Sequence, residues 1–490
     1  MKRSRGLKSR KENEKSSSKK KSRFRLNREL YACAALMVCL FAGMTAYLAD
    51  YVLSNQEALF NNSYNSRQKV LAQQNTRGTI YAASGEVLAE TRTDEAGNEF
   101  RDYPYGRMFA HVVGYTGKGR TGIEELENYR LINSDISEKE KLDNELAGKK
   151  NPGNDVFTTL DVSLQEAADE ALGLYRGAVV VTEVKTGRVL AMVSKPDYDP
   201  NTIAEQWTAL NEDQEKAALL NRATQGLYPP GSTFKIVTAL AYIRQFPDTW
   251  ENYSFNCTGA YSHGQNRISC YHGSVHGQVD LTTSFAKSCN ASFANIGMSL
   301  NRGAFGETID SLLFNQELPI PLPYKQTSVE LDGNSTDDEV IQTSIGQGKT
   351  QITPMQLNMI TAAIANGGEL MQPIFVDAVK NADGRVLEKN SPSVYKRLMS
   401  QQEAEAMGAL MADVVQEGTG RKLKDRGYTA AGKTGSAEFS ENKEESHAWF
   451  TGFAPVEDPE IAVTVIVERA GSGSDYAVPL ARRVFDAWFS

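Results

Sequence analysis

Twenty consecutive uncharged residues, Leu30–Ala49 (LYACAALMVCLFAGMTAYLA), constrain this chain more than any other stretch. At 1.5 Å per residue they match the thickness of a bilayer hydrocarbon core, about 30 Å. A cleavable leader has a shorter apolar region, roughly 7–15 residues, and a small-x-small cleavage site. A buried core helix would not carry strongly polar flanks on both sides. Residues 30–50 are therefore read as a retained membrane anchor. Met1–Glu29 holds 13 Lys and Arg against 3 Asp and Glu, and the remainder holds 40 against 58. By the positive-inside rule the basic tail, residues 1–29, stays in the cytoplasm and the rest is exported. An acidic exported body argues against a nucleic-acid surface, and its location argues against chemistry that consumes ATP.

Five cysteines in 490 residues are too few for a disulfide scaffold, so the exported part must be held by an apolar core. Residues 51–155 are polar and mixed. They contain RGTIYAASGEVLAET, in which Ser84-Gly85 reads as a turn between short strands, and form a small β-containing spacer domain. The Lys/Glu/Asn-rich stretch SDISEKEKLDNELAGKKNPGND marks its end. Over 156–490 a helix begins with Leu164, Ala168, Ala171, Leu172 and Tyr175 at helical spacing. GAVVVTEVKTGRVLAMVS then reads as an antiparallel hairpin, and a long, mostly helical region follows. YTAAGKTGSAEFS, HAWFTGFAPV and EIAVTVIVER read as three further strands before an amphipathic segment, VPLARRVFDAWF. Two strands, helices, then three strands and a helix predict an α+β domain with an antiparallel sheet.

The strongest local signal for chemistry is Tyr228-Pro-Pro-Gly-Ser232-Thr-Phe-Lys235, which runs into an apolar helical stretch. Ser232 opens a helix, where unpaired backbone N–H groups and the helix dipole favour an oxyanion. Lys235 is one turn further on the same face, within reach of the Ser232 hydroxyl, and as a neutral amine can activate it as a nucleophile. The spacing alone is weak: Ser16, Ser17 and Ser18 also precede Lys19, Lys20 and Lys21 by three residues in the polar tail. An ordinary N-cap serine is the bland alternative. Ser288-Cys289-Asn290 offers a hydroxyl and an amide two positions apart, which can serve a proton shuttle or merely cap a helix. Lys433-Thr434-Gly435-Ser436 lies in a β-like stretch. There an edge strand can present a cation and two hydroxyls to a carboxylate, with Gly435 letting a ligand backbone come close. Lys185-Thr186-Gly187 repeats three of those letters, but at a hairpin tip that a turn explains. Gly427–Thr434 also fits the phosphate-loop pattern G-x-x-x-x-G-K-[ST]. Charged residues precede it, however, and Gly435 interrupts the helix it requires.

Taken in chain order, Ser-x-x-Lys, Ser-x-Asn and Lys-Thr-Gly resemble the penicillin-recognising serine acyltransferases, which comprise penicillin-binding proteins and serine β-lactamases. RGTIYAASGEVLA, TGIEELEN, TTLDVSLQ, GAVVVTEVKTGRVLAMVSKPDYDPN, IGQGKTQITPMQ and AWFTGFAP look like landmarks of class B penicillin-binding proteins across residues 77–455. The resemblance implies a peptidoglycan D,D-transpeptidase with a cytoplasmic tail, an anchor, a pedestal (51–155) and a transpeptidase domain (156–490). The last would have a five-stranded antiparallel sheet packed with helices plus an α-helical subdomain. It implies that Ser232 attacks the D-Ala-D-Ala carbonyl of a stem peptide with Lys235 as base, and that Ser288 and Asn290 manage protons and hold the peptide. Lys433, Thr434 and Ser436 would bind the terminal carboxylate, and the Ser232 and Ser436 N–H groups would form the oxyanion hole. β-Lactams and a polytopic glycan polymerase are implied partners, and no cofactor is implied. Ala82-Ala83 stands where Asp-Arg is usual, and Ser436 where Thr is commoner. A β-lactamase or β-lactam sensor would share the acylation residues but needs a positioned water and its base, which the sequence does not reveal.

Cys257 and Cys270 bracket a Gly/Asn-rich loop, and export permits a disulfide between them, which would contribute about 3 kcal/mol on the loop-entropy argument. His263, His272 and His276 are nearby, but their spacing with the two cysteines matches no structural zinc pattern, so no metal is expected. Cys289 reads as a packed thiol.

Overall fold

The computed structural model describes residues 4–54, 67–438 and 446–490. Residues 1–70 and 71–490 are two compact units. The first contains one long helix, α1 (Ser4–Ser54). Within it Asn27–Ser54 has a mean hydropathy of 2.0 and no burial by protein, and is long and apolar enough to cross a membrane.

Near its start the second unit has three short strands, β1 (Ile80–Tyr81), β2 (Val87–Thr93) and β3 (Glu99–Asp102), after a two-residue strand, Asn75–Thr76, that pairs with Asn151–Pro152. The turn at Ser84-Gly85 closes as the sequence predicts, with Ala82 N–H donating to Glu86 O at 2.8 Å. Beyond the polar stretch comes β4 (Asp155–Thr158), then α2 (Val162–Leu172), β5 (Gly177–Glu183) and β6 (Val189–Lys195). A buried helix, α3 (Lys235–Gln245), is followed by α4 (Leu281–Ala286), α5 (Asn290–Ser299) and α6 (Pro354–Ala365). A hairpin, β7 (Val376–Lys380) with β8 (Val386–Lys389), precedes α7 (Gln401–Gln416). The chain ends with β9 (Ala431–Glu438), β10 (Ser446–Ala454), β11 (Ile461–Val467) and α8 (Ala477–Phe489).

Two sheets organise this unit. The antiparallel sheet runs β9-β10-β11-β5-β6, five strands as the resemblance implies, with the sequence-distant β11 and β5 paired from Ile461↔Glu183 to Val467↔Gly177. Successive residues point to opposite faces, so one strand feeds two cores. Ala178, Val180 and Ile466 pack towards α3 and α6, while Val179, Val181, Val463 and Val465 pack under α2 and α8. Burial on both faces is why these strands read as unbroken apolar runs rather than alternating ones.

The other sheet has six strands in the order β8-β7-β4-β1-β2-β3. It takes three strands from before residue 103, one from 155–158 and a hairpin from beyond residue 375, so it is built across the boundary expected at 155/156. The polar stretch before that point contains a helix, Glu138–Leu146, whose Ser137 side chain caps its N-terminus. Ala82, where the resemblance expects Asp, is fully buried in the core beside this sheet.

Candidate active site

Gly231–Phe234 forms a 3-10 turn that leads directly into α3. Ser232 is therefore not the N-cap; Pro230 holds that position, and no side chain caps the turn. The Ser232 hydroxyl instead accepts a 3.0 Å hydrogen bond from Lys235 Nζ. The turn is wedged against β9. Gly231 has φ +52°, and a Cβ there would stand 2.7 Å from Ser436 O and 3.0 Å from Ala437 Cα, so only glycine fits. Gly435 answers from the strand side: a Cβ there would stand 3.0 Å from Pro230 O and from Thr233 Cγ2. The missing side chain thus admits the serine turn.

Lys235 is fully buried. Besides Ser232, its Nζ meets Asn290 Oδ1 at 2.7 Å, Ser288 O at 2.8 Å and Ser288 Oγ at 3.2 Å. Ser288 sits between α4 and α5 with φ +56°, a left-handed conformation that a serine adopts at a cost of about 1–3 kcal/mol where its surroundings fix it. Asn290 Nδ2 donates to Ser269 O at 3.1 Å, tying the second motif to the loop before it. Lys433 is also fully buried rather than presented to solvent, because it points from β9 towards the same serine and donates to Ser288 Oγ at 2.9 Å. Ser232, Lys235, Ser288 and Lys433 are thereby joined in one chain of hydrogen bonds. Thr434 is 5% exposed, its hydroxyl 2.5 Å from that of Thr419. Ser436, half-buried, accepts from Gly473 N–H at 3.3 Å. β9 is an edge strand of the sheet, so one rim of its backbone has no strand partner among the described residues.

Two amines around one hydroxyl without solvent cannot both hold a proton cheaply. Burial pushes Lys235 down to about 7, against smaller upward pulls from Cys289 and Cys270. Burial, then the neighbouring Lys235 charge, holds Lys433 well below the usual lysine range. Aromatic faces recover part of the desolvation: Lys235 Nζ lies 5.4 Å from the Phe293 ring centroid and Lys433 Nζ 5.5 Å from that of Phe285.

Sequence reasoning missed the residues that hold the serine turn from behind. Trp449 Nε1 donates to Pro229 O at 3.1 Å, and Gly231 N–H donates to Gly346 O at 2.9 Å. Arg222 Nε and the Tyr228 hydroxyl both donate to Glu468 Oε1, at 2.7 and 2.8 Å. These contacts join residues up to 246 positions apart, which no local pattern exposes. Lys433-Thr434 lies inside a strand paired with β10, with no helix after it, so the phosphate-loop reading fails. Lys185-Thr186-Gly187 stands at the β5–β6 turn, away from these groups.

Cys257 and Cys270 are not joined by a disulfide. Both thiols are free, with their sulfurs 3.7 Å apart. Cys289 Sγ is equally 3.7 Å from Cys270 Sγ, and His276 Nδ1 is 3.4 Å from Cys257 Sγ. The pair is thus part of a group of four. His263 is elsewhere, bonded to Asp337 at 3.1 Å, and His272 is outside the group.

Residues 177–486 match the penicillin binding protein transpeptidase domain. The chain belongs to the penicillin-binding transpeptidase family. Residues 77–156 match the penicillin binding protein A dimerisation domain. The peptidoglycan D,D-transpeptidase PbpA of Mycolicibacterium smegmatis is 32% identical over 94% of this chain and 98% of its own. MrdA of Acinetobacter baumannii, also named a peptidoglycan D,D-transpeptidase, is 29% identical over 79% of this chain and 66% of its own. Among solved structures, penicillin-binding protein A from M. tuberculosis as its penicillin G acyl-enzyme complex aligns with a TM-score of 0.76 at 29% identity, covering 85% of this chain and all of that one.

Proposed function

We propose that this protein is a membrane-anchored peptidoglycan D,D-transpeptidase that cross-links stem peptides through an acyl-enzyme on Ser232, and that β-lactams acylate the same serine. The observation that carries the reading is the hydrogen-bonded chain from Ser232 Oγ through Lys235 Nζ and Ser288 Oγ to Lys433 Nζ, at 3.0, 3.2 and 2.9 Å. Neutral Lys235 takes the Ser232 proton as Oγ attacks the carbonyl of the penultimate D-Ala. The oxyanion is received by the backbone N–H groups of Ser232 and Ser436, on the turn and on the free rim of β9. The proton passes through Ser288 to the departing D-Ala amine, and Asn290 holds the peptide. An amine from a second stem peptide then attacks the ester and restores the Ser232 hydroxyl. Lys433, with Thr434 and Ser436, binds the terminal carboxylate, whose charge returns to Lys433 the proton that burial disfavours.

In this reading residues 1–29 remain in the cytoplasm, 30–50 cross the membrane, 51–155 form the pedestal and 156–490 the transpeptidase domain outside. A polytopic glycan polymerase is the partner for the anchor and pedestal. The test is exchange of the terminal D-Ala of a synthetic stem peptide for a labelled D-amino acid by the full chain in detergent. Exchange that disappears in Ser232→Ala supports the reading. Release of D-Ala to water alone, without exchange, would replace it by a hydrolase.

A further inference from the structure

The two hydroxyls of β9, on Thr434 and Ser436, are each bonded by a group that lies outside the three motifs. Gly473 N–H donates to Ser436 Oγ at 3.3 Å, and an oxygen that accepts from an N–H keeps its own proton to give. Thr434 Oγ1 lies 2.5 Å from Thr419 Oγ1, and among the described residues this is the one hydrogen bond that either hydroxyl makes. Each of the pair carries a single proton, so one donates and the other accepts. If Thr434 donates, its proton is spent on Thr419. If Thr419 donates, the Thr434 proton is free to turn towards a bound anion. A carboxylate can only accept, and it therefore selects the second arrangement, in which each O–H group polarises the next.

Thr419 is held for this task by its backbone. It stands in the turn between α7 and the 3-10 turn Arg421–Leu423. Its N–H donates to Ala286 O at 3.2 Å, and its carbonyl accepts from Ser474 Oγ at 2.8 Å. Gly418 lies so close to α4 that a Cβ there would stand 2.2 Å from the same Ala286 O. Ala286 ends α4 two residues before Ser288, and Ser474 follows Gly473 in the loop after β11. The Thr419 main chain thus ties the helix that leads to the second motif to the loop behind Ser436. That tie does not involve the side chain, whose hydroxyl reaches only Thr434.

We propose that Thr419 is a positioning residue for carboxylate recognition: its hydroxyl donates to Thr434 Oγ1 and turns the Thr434 proton towards the terminal carboxylate of a stem peptide or a β-lactam. This role rests on the transpeptidase reading, which brings the carboxylate to Thr434. Thr419 acts through Thr434 and does not touch the ligand.

The test compares the second-order rates at which the full chain in detergent is acylated by benzylpenicillin and by its methyl ester. The ester is neutral and the weaker acceptor, so the ratio of the two rates reports recognition of the carboxylate. Thr419→Val keeps the shape and removes the hydroxyl. The ratio should fall about fivefold, the worth of one hydrogen bond between neutral groups, and Thr419→Ser should restore it. Thr434→Val should lower the ratio at least as far, and adding Thr419→Val to it should lower it no further, because the effect of Thr419 passes through Thr434. Ser474→Ala releases the Thr419 carbonyl and should lower the ratio by a smaller factor; it decides the matter if Thr419→Val does not fold. An unchanged ratio in Thr419→Val, or in Ser474→Ala where that variant alone folds, would overturn the proposal. So would a further fall of the same size in the double variant, since Thr419 would then act independently of Thr434. A folded native chain that neither compound acylates would remove the transpeptidase reading itself, and this role with it.

Discussion

The protonation of Lys235 makes the acylation rate a direct report on the site. Its buried amine faces the Ser232 hydroxyl, Ser288, Asn290, the Lys433 amine, the Cys289 and Cys270 thiols and the Phe293 ring, and it loses its proton near pH 7. Only the neutral amine can take the serine proton. A group titrating there is about 10% neutral at pH 6 and about 90% at pH 8, so the second-order rate of penicillin acylation should rise about tenfold between them and then level. It should fall again only at higher pH, when the pair of lysines gives up its second proton. A lysine left at its ordinary value of about 10.4 would instead give a hundredfold rise over the same two units, with no plateau. Stopped-flow or quenched labelling of the full chain with a fluorescent penicillin across pH 5.5–9 distinguishes the two. A slope of tenfold per unit continuing past pH 8 would refute the lowering of Lys235 by burial.

Other consequences follow from particular contacts. Lys433→Ala should weaken capture of penicillin roughly 10- to 100-fold more than it weakens labelling by a penicillin methyl ester, the difference being the worth of a hydrogen bond to a charged group. An equal loss with the ester would contradict a carboxylate-binding role. Gly231→Ala forces a side chain to within 2.7 Å of Ser436 O, so acylation should fall about a hundredfold while circular dichroism stays native. In the pedestal, Glu124 is fully buried between Arg77 and Arg101, which reach it at 2.6 and 2.7 Å. Glu124→Ala strands two guanidinium groups and should cost about 3–5 kcal/mol in denaturant unfolding of residues 71–490; a cost below 1 kcal/mol would mean that water reaches them.

What the chain declares in its sequence is what local physics decides. The anchor is legible because a bilayer demands an unbroken apolar run. The five-stranded sheet is legible because β5 and β11 are long enough, at seven residues each, to show their character. The serine turn is legible because Pro229, Pro230 and Gly231 admit few conformations. The six-stranded sheet is not, since Ile80–Tyr81 is two residues long and its sheet includes strands nearly 300 residues further along. Lys433 looked like an exposed cation because an edge strand suggests one, and only the approach of Ser288 buries it. The cysteine group was hidden for a related reason. Three members lie within 20 residues, but the fourth, Cys289, sits inside a motif already assigned another task.

The most direct measurement is mass analysis of the full chain after reaction with penicillin, with the modified peptide sequenced and its release followed for hours. The account predicts one adduct on Ser232, stable over that time and absent in Ser232→Ala. An adduct on another residue, or rapid release of hydrolysed drug from Ser232, would contradict it.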